Sequence, residues 1–90
     1  MVQLVEVIKN TRSYELREVF VNPRHVVMLR EDHATRSAVN EGKVIEGIDP
    51  RQKYTRVTVD NGTTGSQFIV VGSPGIVEAK LKSGRQLLNG

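Results

Sequence analysis

The side chains that could do chemistry are scattered along the chain, and none falls in a recognised catalytic pattern. Ser66 and Ser73 lie in a predicted turn and a predicted helix cap, and no G-x-S-x-G turn, which exposes a nucleophilic serine, occurs. The stretch Gly72 to Gly75 is too short for a phosphate-binding loop and lacks the lysine of a Walker motif. Asp49 and Asp60 stand beside turn residues, where aspartate is common for structural reasons. We therefore expect no enzymatic activity.

Two histidines and two carboxylates offer the donor types of a transition-metal site. His33 follows Glu31 and Asp32 directly, and His25 begins the preceding predicted strand. Imidazole and carboxylate groups are common zinc ligands. However, the spacing matches no known metal-binding signature, and polar residues are ordinary where a strand runs into a loop. We predict neither a metal ion nor another cofactor.

Basic residues are concentrated in the second half of the chain. The 90 residues include 13 Lys and Arg and 10 Asp and Glu, for a net charge of +3. Residues 1–50 carry 7 basic and 8 acidic groups, whereas residues 51–90 carry 6 basic and 2 acidic groups. This asymmetry permits an anionic partner. It is less dense than the basic stripe of a dedicated nucleic-acid-binding protein.

One alternative function is therefore nucleic-acid binding along a basic strand and a basic tail. Basic groups contact phosphates, and an aromatic ring between them stacks on bases. The candidate contact residues for this alternative are Arg51, Lys53, Tyr54, Arg56, Lys80, Lys82 and Arg85. The competing interpretation is that the charges form a solvated face or protect an edge strand, while a thin core needs the aromatic rings.

Hydrophobic alternation predicts five strands. They span residues 2–8, 14–21, 25–30, 53–60 and 66–71. Glu18 falls between Leu16 and Phe20 on the apolar face of the second strand, which requires a bulge, or an edge or partner that Glu18 faces. The nearly continuous apolar run at 26–29 indicates that the third strand is buried on both faces, by the fold or by a second subunit.

Turn and cap residues mark where these strands end. Asn22-Pro23 breaks the second strand. Asp60-Asn61-Gly62 is the strongest hairpin signal, because Asn-Gly accepts positive φ angles, and Thr63-Thr64-Gly65 lengthens the turn. Ser73-Pro74 is a typical helix start, with serine as the N-cap and proline at the first helical position. Gly84 is expected to end or fray this helix, which leaves a frayed tail at 84–90.

These elements predict a single mainly β domain, a β-rich α+β fold over residues 1–90. The architecture is a five-stranded antiparallel sheet or small open barrel with one C-terminal helix. One helix cannot cover both faces of such a sheet, so we expect barrel closure or a homo-oligomer, and we favour the homo-oligomer. The chain has no cysteine, and it shows neither a targeting segment nor an apolar run long enough to span a membrane. We expect a cytoplasmic location.

Residues 31–52 form a polar insertion between the third and fourth strands. Connections of this length are usually functional or mobile, and we expect a mobile one. The stretch 32–41 has the pattern of a short helix that Asp32 caps and Gly42 ends. The apolar residues of the insertion either fold back onto the body or contact a partner. The candidate partner-binding residues are Arg36, Val44, Ile45 and Ile48.

Three segments carry a connected set of turn and cap motifs: FVNPRHVV at 20–27, TRVTVDNG at 55–62 and FIVVGSP at 68–74. Together they resemble the small flagellar FlbD/SwrD-like proteins, which share an N-P-x-x-I turn, an Asn-Gly hairpin and a V-x-E-S-type helix start. The resemblance covers roughly half of the chain; the insertion at 31–52 and the basic C-terminal tail depart from it. It implies a non-enzymatic accessory or regulatory role and assigns no catalytic residue.

The leading functional hypothesis is a small regulatory or adaptor protein that binds another protein through its insertion and a sheet edge. Exposed sheet edges accept a strand from a partner, and loops beside them add specificity. The alternative is a nucleic-acid-binding regulator. Binding to DNA or RNA that weakens steeply with salt would favour the alternative.

Overall fold

The computed structural model describes residues 1–11, 13–40, 48–60, 62–63 and 65–89, without the side chains of residues 40 and 84–89. Its strands are β1 (Val2–Lys9), β2 (Tyr14–Val21), β3 (Val26–Glu31), β4 (Tyr54–Asp60) and β5 (Gly65–Val71). Its helices are a single 3-10 turn (Pro23–His25), α1 (His33–Asn40) and α2 (Pro74–Asn89).

The five strands form one antiparallel sheet in the order β2-β1-β5-β4-β3. β1 and β2 make one hairpin and β4 and β5 another, and the pairing of β1 with β5 joins them. Because β2 and β3 lie at the two edges, the sheet of the described residues is open rather than closed into a barrel. The predicted mainly β fold, with an antiparallel sheet and a C-terminal helix, is confirmed.

The hairpin of β1 and β2 is regular along its whole length. The two strands pair over eight residues without a register shift, and the Asn10 N–H donates to the Ser13 carbonyl at 2.8 Å. Glu18 stands opposite Val5 and is exposed because β2 is an outer strand. The edge position, and not a bulge, therefore accommodates this carboxylate between two apolar residues.

β3 forms the other edge, and the fold of the single chain does not bury it on both faces. Its register against β4 shifts between Val26 and Met28, so a bulge interrupts the alternation of its side chains. Val26 and Leu29 both pack against the main core as a result. Val27 is 62% exposed and Met28 is 40% exposed. The apolar run is thus divided between the core and the surface.

The main core lies between α2 and one face of the sheet. Val77 and Leu81 are the buried residues that α2 contributes. The strands contribute Val2, Leu4, Val21, Val57 and Val70. Phe68 and Val59 pack around this cluster while partly exposed.

α2 begins where the sequence predicts. The Ser73 carbonyl accepts the Val77 N–H at 3.0 Å, and the Ser73 hydroxyl accepts the Ile76 N–H at 3.4 Å. The helical backbone continues past Gly84 to Asn89, so Gly84 does not end the helix. None of the described helices is long and apolar enough to cross a bilayer.

The second face of the sheet is partly covered by α1 and the residues just before β4. Val39 and Ile48 pack against the buried pair Val7 and Tyr54. From the sequence, we expected one covering helix, with barrel closure or a second subunit covering this face. The insertion supplies part of that cover itself.

α1 lies within the stretch that the sequence predicts to be helical. It follows Asp32, whose buried carboxylate accepts a hydrogen bond from the Thr35 hydroxyl. The Asp32 N–H donates to the Tyr54 carbonyl at 2.8 Å, which ties the start of the helix to β4. Gly42, the predicted helix end, lies outside the described residues.

Candidate protein-binding surfaces

The residues predicted to contact a protein partner have different environments. Ile48 is half-buried in the cluster around Tyr54, so it folds back onto the body of the domain. Arg36 is partly exposed on α1. Val44 and Ile45 lie outside the described residues. Of the two that the structure describes, both are partly exposed, and Ile48 packs against the cluster around Tyr54.

Tyr54 does not belong to a basic surface. Its side chain is 1% exposed, and its hydroxyl has no hydrogen-bond partner within the described part of the chain. Burial raises the pKa of this hydroxyl above its ordinary value of 10.0. The prediction that Tyr54 stacks on bases between basic residues is wrong for this fold, because its ring lies under α1 and Ile48.

Arg51 is held by a neighbouring carboxylate. Its Nη2 lies 3.1 Å from Asp49 Oδ2, its Nε donates to Asp49 Oδ1 at 3.3 Å, and its backbone N–H donates to Oδ1 at 2.7 Å. The side-chain hydrogen bonds of Arg51, followed by its backbone N–H, hold the pKa of the Asp49 carboxyl below its ordinary value. The pair is solvent-exposed, so its electrostatic effect is screened by water and salt.

Arg56 points to the face of the sheet that carries α1, since it alternates with the inward-facing Val57 along β4. Its Nη1 donates to Gln67 Oε1 at 3.4 Å, and its Nη2 lies 3.8 Å from Asp32 Oδ1. Asp32 is 7% exposed, so this guanidinium balances a buried carboxylate. A structural role accounts for Arg56 in this arrangement.

The two lysines of α2 lie on the other side of the sheet. Lys80 and Lys82 are exposed on α2, and Lys82 forms an ion pair with Glu78 at 3.2 Å. Lys53 is exposed just before β4, and the side chain of Arg85 is outside the described residues. Arg56 and the α2 lysines therefore face opposite sides of the sheet and do not form one continuous basic surface.

The two histidines do not converge. His25 precedes β3 and His33 follows it, so the length of a six-residue strand, about 20 Å, separates them. His33 Nδ1 lies 3.1 Å from Glu31 Oε2 in an exposed pair. No group of three or more His, Asp or Glu side chains that could hold a metal ion occurs within the described ranges.

The first candidate surface is a groove between β3 and α2, which we call the β3 groove. Its volume is about 280 Å³, and it is lined by Val26 to Leu29, Glu78, Leu81 and Lys82. Five of the seven lining residues are apolar, although their backbone and the rim add as much polar surface, and the ion pair of Glu78 and Lys82 leaves little net charge. Such a surface can accept an apolar side chain.

The second candidate surface is the free edge of β2. Leu16 is 37% exposed and Phe20 is 59% exposed, and both point to the face opposite α2. Val5 and Val7 stand beside this strip on β1. The sequence contained a partial signal for it, because a glutamate between two apolar residues predicts a bulge, an edge or a partner contact.

The exposed pair Val27 and Met28 has no such signal in the sequence. A run of four apolar residues looks the same whether a strand is central or bulged at an edge. Only the pairing of β3 with β4 sets the bulge, and only the bulge turns these two side chains outward.

No family model matches the chain, and neither a curated protein nor a solved structure is significantly similar to it. The resemblance to the flagellar FlbD/SwrD-like proteins stays a prediction that depends on its turn and cap motifs.

Proposed function

We propose that this chain is a non-catalytic regulatory or adaptor protein that binds another protein along β3 and the insertion that follows it. The observation that carries the proposal is the exposure of Val27 and Met28 beside the β3 groove. The insertion begins at the end of β3, so its first residues adjoin the same edge of the sheet.

The chemistry of the groove determines what kind of partner fits. Burying a side chain the size of valine contributes about 1.5–3 kcal/mol, so Val27 can anchor a contact at this groove. The paired charges of Glu78 and Lys82 favour an apolar anchor on the partner over a charged one. The bulge disfavours a long backbone ladder with an added strand, so the side chains of the partner supply most of the contact.

A glutamate at position 27 tests this surface. We expect Val27→Glu to abolish binding of a partner that co-purifies from the native cell, because the contact would bury an unpaired charge. Ile76→Glu is the matched control: Ile76 is 56% exposed, similar in size, and outside the β3 groove. Quantitative mass spectrometry of material captured in parallel on the two variants and the wild type gives the comparison.

A partner that is lost with Val27→Glu and kept with Ile76→Glu supports the proposal. Capture of the same proteins at the same level by both variants would overturn it. Thermal unfolding of each variant establishes that the fold is intact. Val44→Ser combined with Ile45→Ser tests the insertion separately, and it keeps the side chains of Val39 and Ile48, which pack against Val7 and Tyr54.

A further inference from the structure

The two edges of the sheet differ in how well they can pair with another strand. β3 is interrupted by a bulge, a feature that protects edges from strand addition. β2 is regular over eight residues and contains no proline. Four consecutive residues at its centre, Glu15 to Glu18, are exposed. A regular edge of this length, with neither a bulge nor a proline, can pair with another strand wherever the charges along it, Glu15, Arg17 and Glu18, meet opposite charges or polar partners.

The hydrogen-bonding groups of β2 that face outward can be assigned from the hairpin. The Asn10 N–H donates to the Ser13 carbonyl, and antiparallel pairs alternate along a ladder between hydrogen-bonded and non-hydrogen-bonded. Continuing this alternation, the backbone groups of Glu15 and Arg17 point to β1. Those of Tyr14, Leu16 and Glu18 point away from the sheet.

We propose that two copies of this chain associate through β2, antiparallel and around a twofold axis at Leu16. In this register Glu15 of each copy stands directly opposite Arg17 of the partner subunit, so two opposite-charge pairs form on one face. Leu16 meets Leu16 of the partner subunit on the other face. The two sheets join into one of ten strands.

Charge selects this register over its neighbours. A twofold axis perpendicular to the sheet lies between two copies of one residue, and an axis at Glu15, Arg17 or Glu18 would place two like charges opposite each other, which is destabilising. The axis at Leu16 also places Glu18 opposite Tyr14 of the partner subunit, where the phenol can donate to the carboxylate. Within one chain, Arg17 and Glu15 make only an exposed contact at 3.5 Å, so both groups remain accessible to a partner.

A cysteine cross-link tests the geometry directly, since the natural chain has no cysteine. Hydrogen-bonded antiparallel pairs have Cα atoms about 5.5 Å apart, within the range that a disulfide spans. We expect Leu16→Cys to form a disulfide-linked dimer on mild oxidation. Phe20→Cys is the control: it is more exposed, yet in this register the two cysteines lie about 26 Å apart. Cross-linking of Phe20→Cys as fast as that of Leu16→Cys would overturn the register.

A charge exchange tests the same register without a covalent bond. We expect Glu15→Arg and Arg17→Glu each to weaken the dimer by roughly tenfold or more, because both charge pairs become repulsive. An equimolar mixture of the two variants should restore a heterodimer, since the arginine introduced in one chain meets the glutamate introduced in the other. Native mass spectrometry distinguishes this heterodimer from either homodimer. Glu15→Arg is the safer variant, because Glu15 opposes Ile8 in its own hairpin whereas Arg17 opposes Glu6.

Sedimentation velocity over a range of concentrations sets the baseline. The expected result is a transition from the 10.0 kDa monomer toward twice that mass. A wild-type chain that stays monomeric at every concentration overturns the proposal. So does a dimer that survives both charge variants, or one that Val27→Glu abolishes, because that outcome moves the interface to β3.

Discussion

Tyr54 shows how burial changes the role of one side chain. On the sequence it stands between Lys53 and Thr55 in a strand with basic residues, which is the setting of a stacking platform. In the fold it is almost completely buried and ends in a hydroxyl without a hydrogen-bond partner among the described residues. A buried unpaired hydroxyl is a cost to the folded state.

Replacing Tyr54 by phenylalanine should therefore leave the free energy of unfolding at pH 7 unchanged or raise it by up to about 1 kcal/mol. Because burial raises the pKa of the hydroxyl, the unfolded chain ionises first, and the wild-type protein loses stability as the pH rises above the ordinary value of 10.0. Tyr54→Phe should lose less stability than the wild type between neutral pH and strongly alkaline pH. Urea unfolding at both pH values measures this; a variant less stable than the wild type at pH 7 would show that the hydroxyl is satisfied.

Arg51 offers a second test at the scale of one residue. Its side chain is the largest cause of the lowered pKa of Asp49, and its backbone N–H is the next. Arg51→Gln should raise the pKa of the Asp49 carboxyl toward its ordinary value without reaching it, since the backbone hydrogen bond stays. A carbon-detected NMR titration reports this carboxyl directly. An unchanged pKa would show that the ion pair does not form in solution.

The elements depend on a few backbone positions that join them. Gly72 connects β5 to α2 with a φ of +119°, a conformation that residues with a side chain rarely adopt. Its N–H donates to the Lys53 carbonyl at 2.9 Å, and its carbonyl accepts the Thr55 hydroxyl at 2.8 Å. This glycine therefore fixes the start of α2 against the beginning of β4.

A pair of glycine substitutions separates backbone conformation from packing. Gly72→Ala should destabilise the domain by about 1–3 kcal/mol through the strained φ, because the added Cβ meets Val77 only at an ordinary 3.5 Å. Gly75→Ala, in the first turn of α2 with open space around the added Cβ, should raise stability by about 0.4–1 kcal/mol. Thermal unfolding of the two variants, followed by circular dichroism, gives both values. Equal changes in stability at the two positions would contradict the conclusion that backbone strain sets the cost at Gly72.

At the scale of the whole molecule, the sheet is covered unevenly. α2 and one sheet face enclose the main core, whereas α1 covers only part of the other face. Leu16 and Phe20 remain exposed at the far end of that second face. The uneven cover is why this fold leaves an apolar edge available to a second copy.

The main core should dominate stability, since a chain of this size has a thin core. Leu4 is 2% exposed between α2 and the sheet, and Leu4→Ala should cost about 2–5 kcal/mol. Ile76→Ala, on the exposed side of α2, should change stability by less than about 1 kcal/mol. Chemical denaturation at a single low protein concentration keeps any association out of the comparison. A loss at position 76 as large as that at position 4 would contradict the placement of the core.

The sequence by itself determined the order of the strands along the chain, the hairpin at Asp60 to Gly62 and the start of α2. These features depend on local physics: alternation of side chains, positive φ at glycine and the capping of free N–H groups. The candidate binding surfaces were predicted less well from the sequence. Glu18 was consistent with an edge strand, which β2 is. Tyr54 was assigned to a basic surface but is buried, and Val27 was expected to be buried but is exposed.

Tertiary structure alone decided which strands lie at the edges, that β3 carries a bulge and that the insertion covers Tyr54. Each depends on which distant strands pair. The residues of one strand do not by themselves specify which strands lie beside it in the sheet. A buried residue and an exposed residue of the same type therefore look alike in the sequence. The pairing of β1 with β5 decides which of these residues are buried, because it places β2 and β3 at the two edges of the sheet.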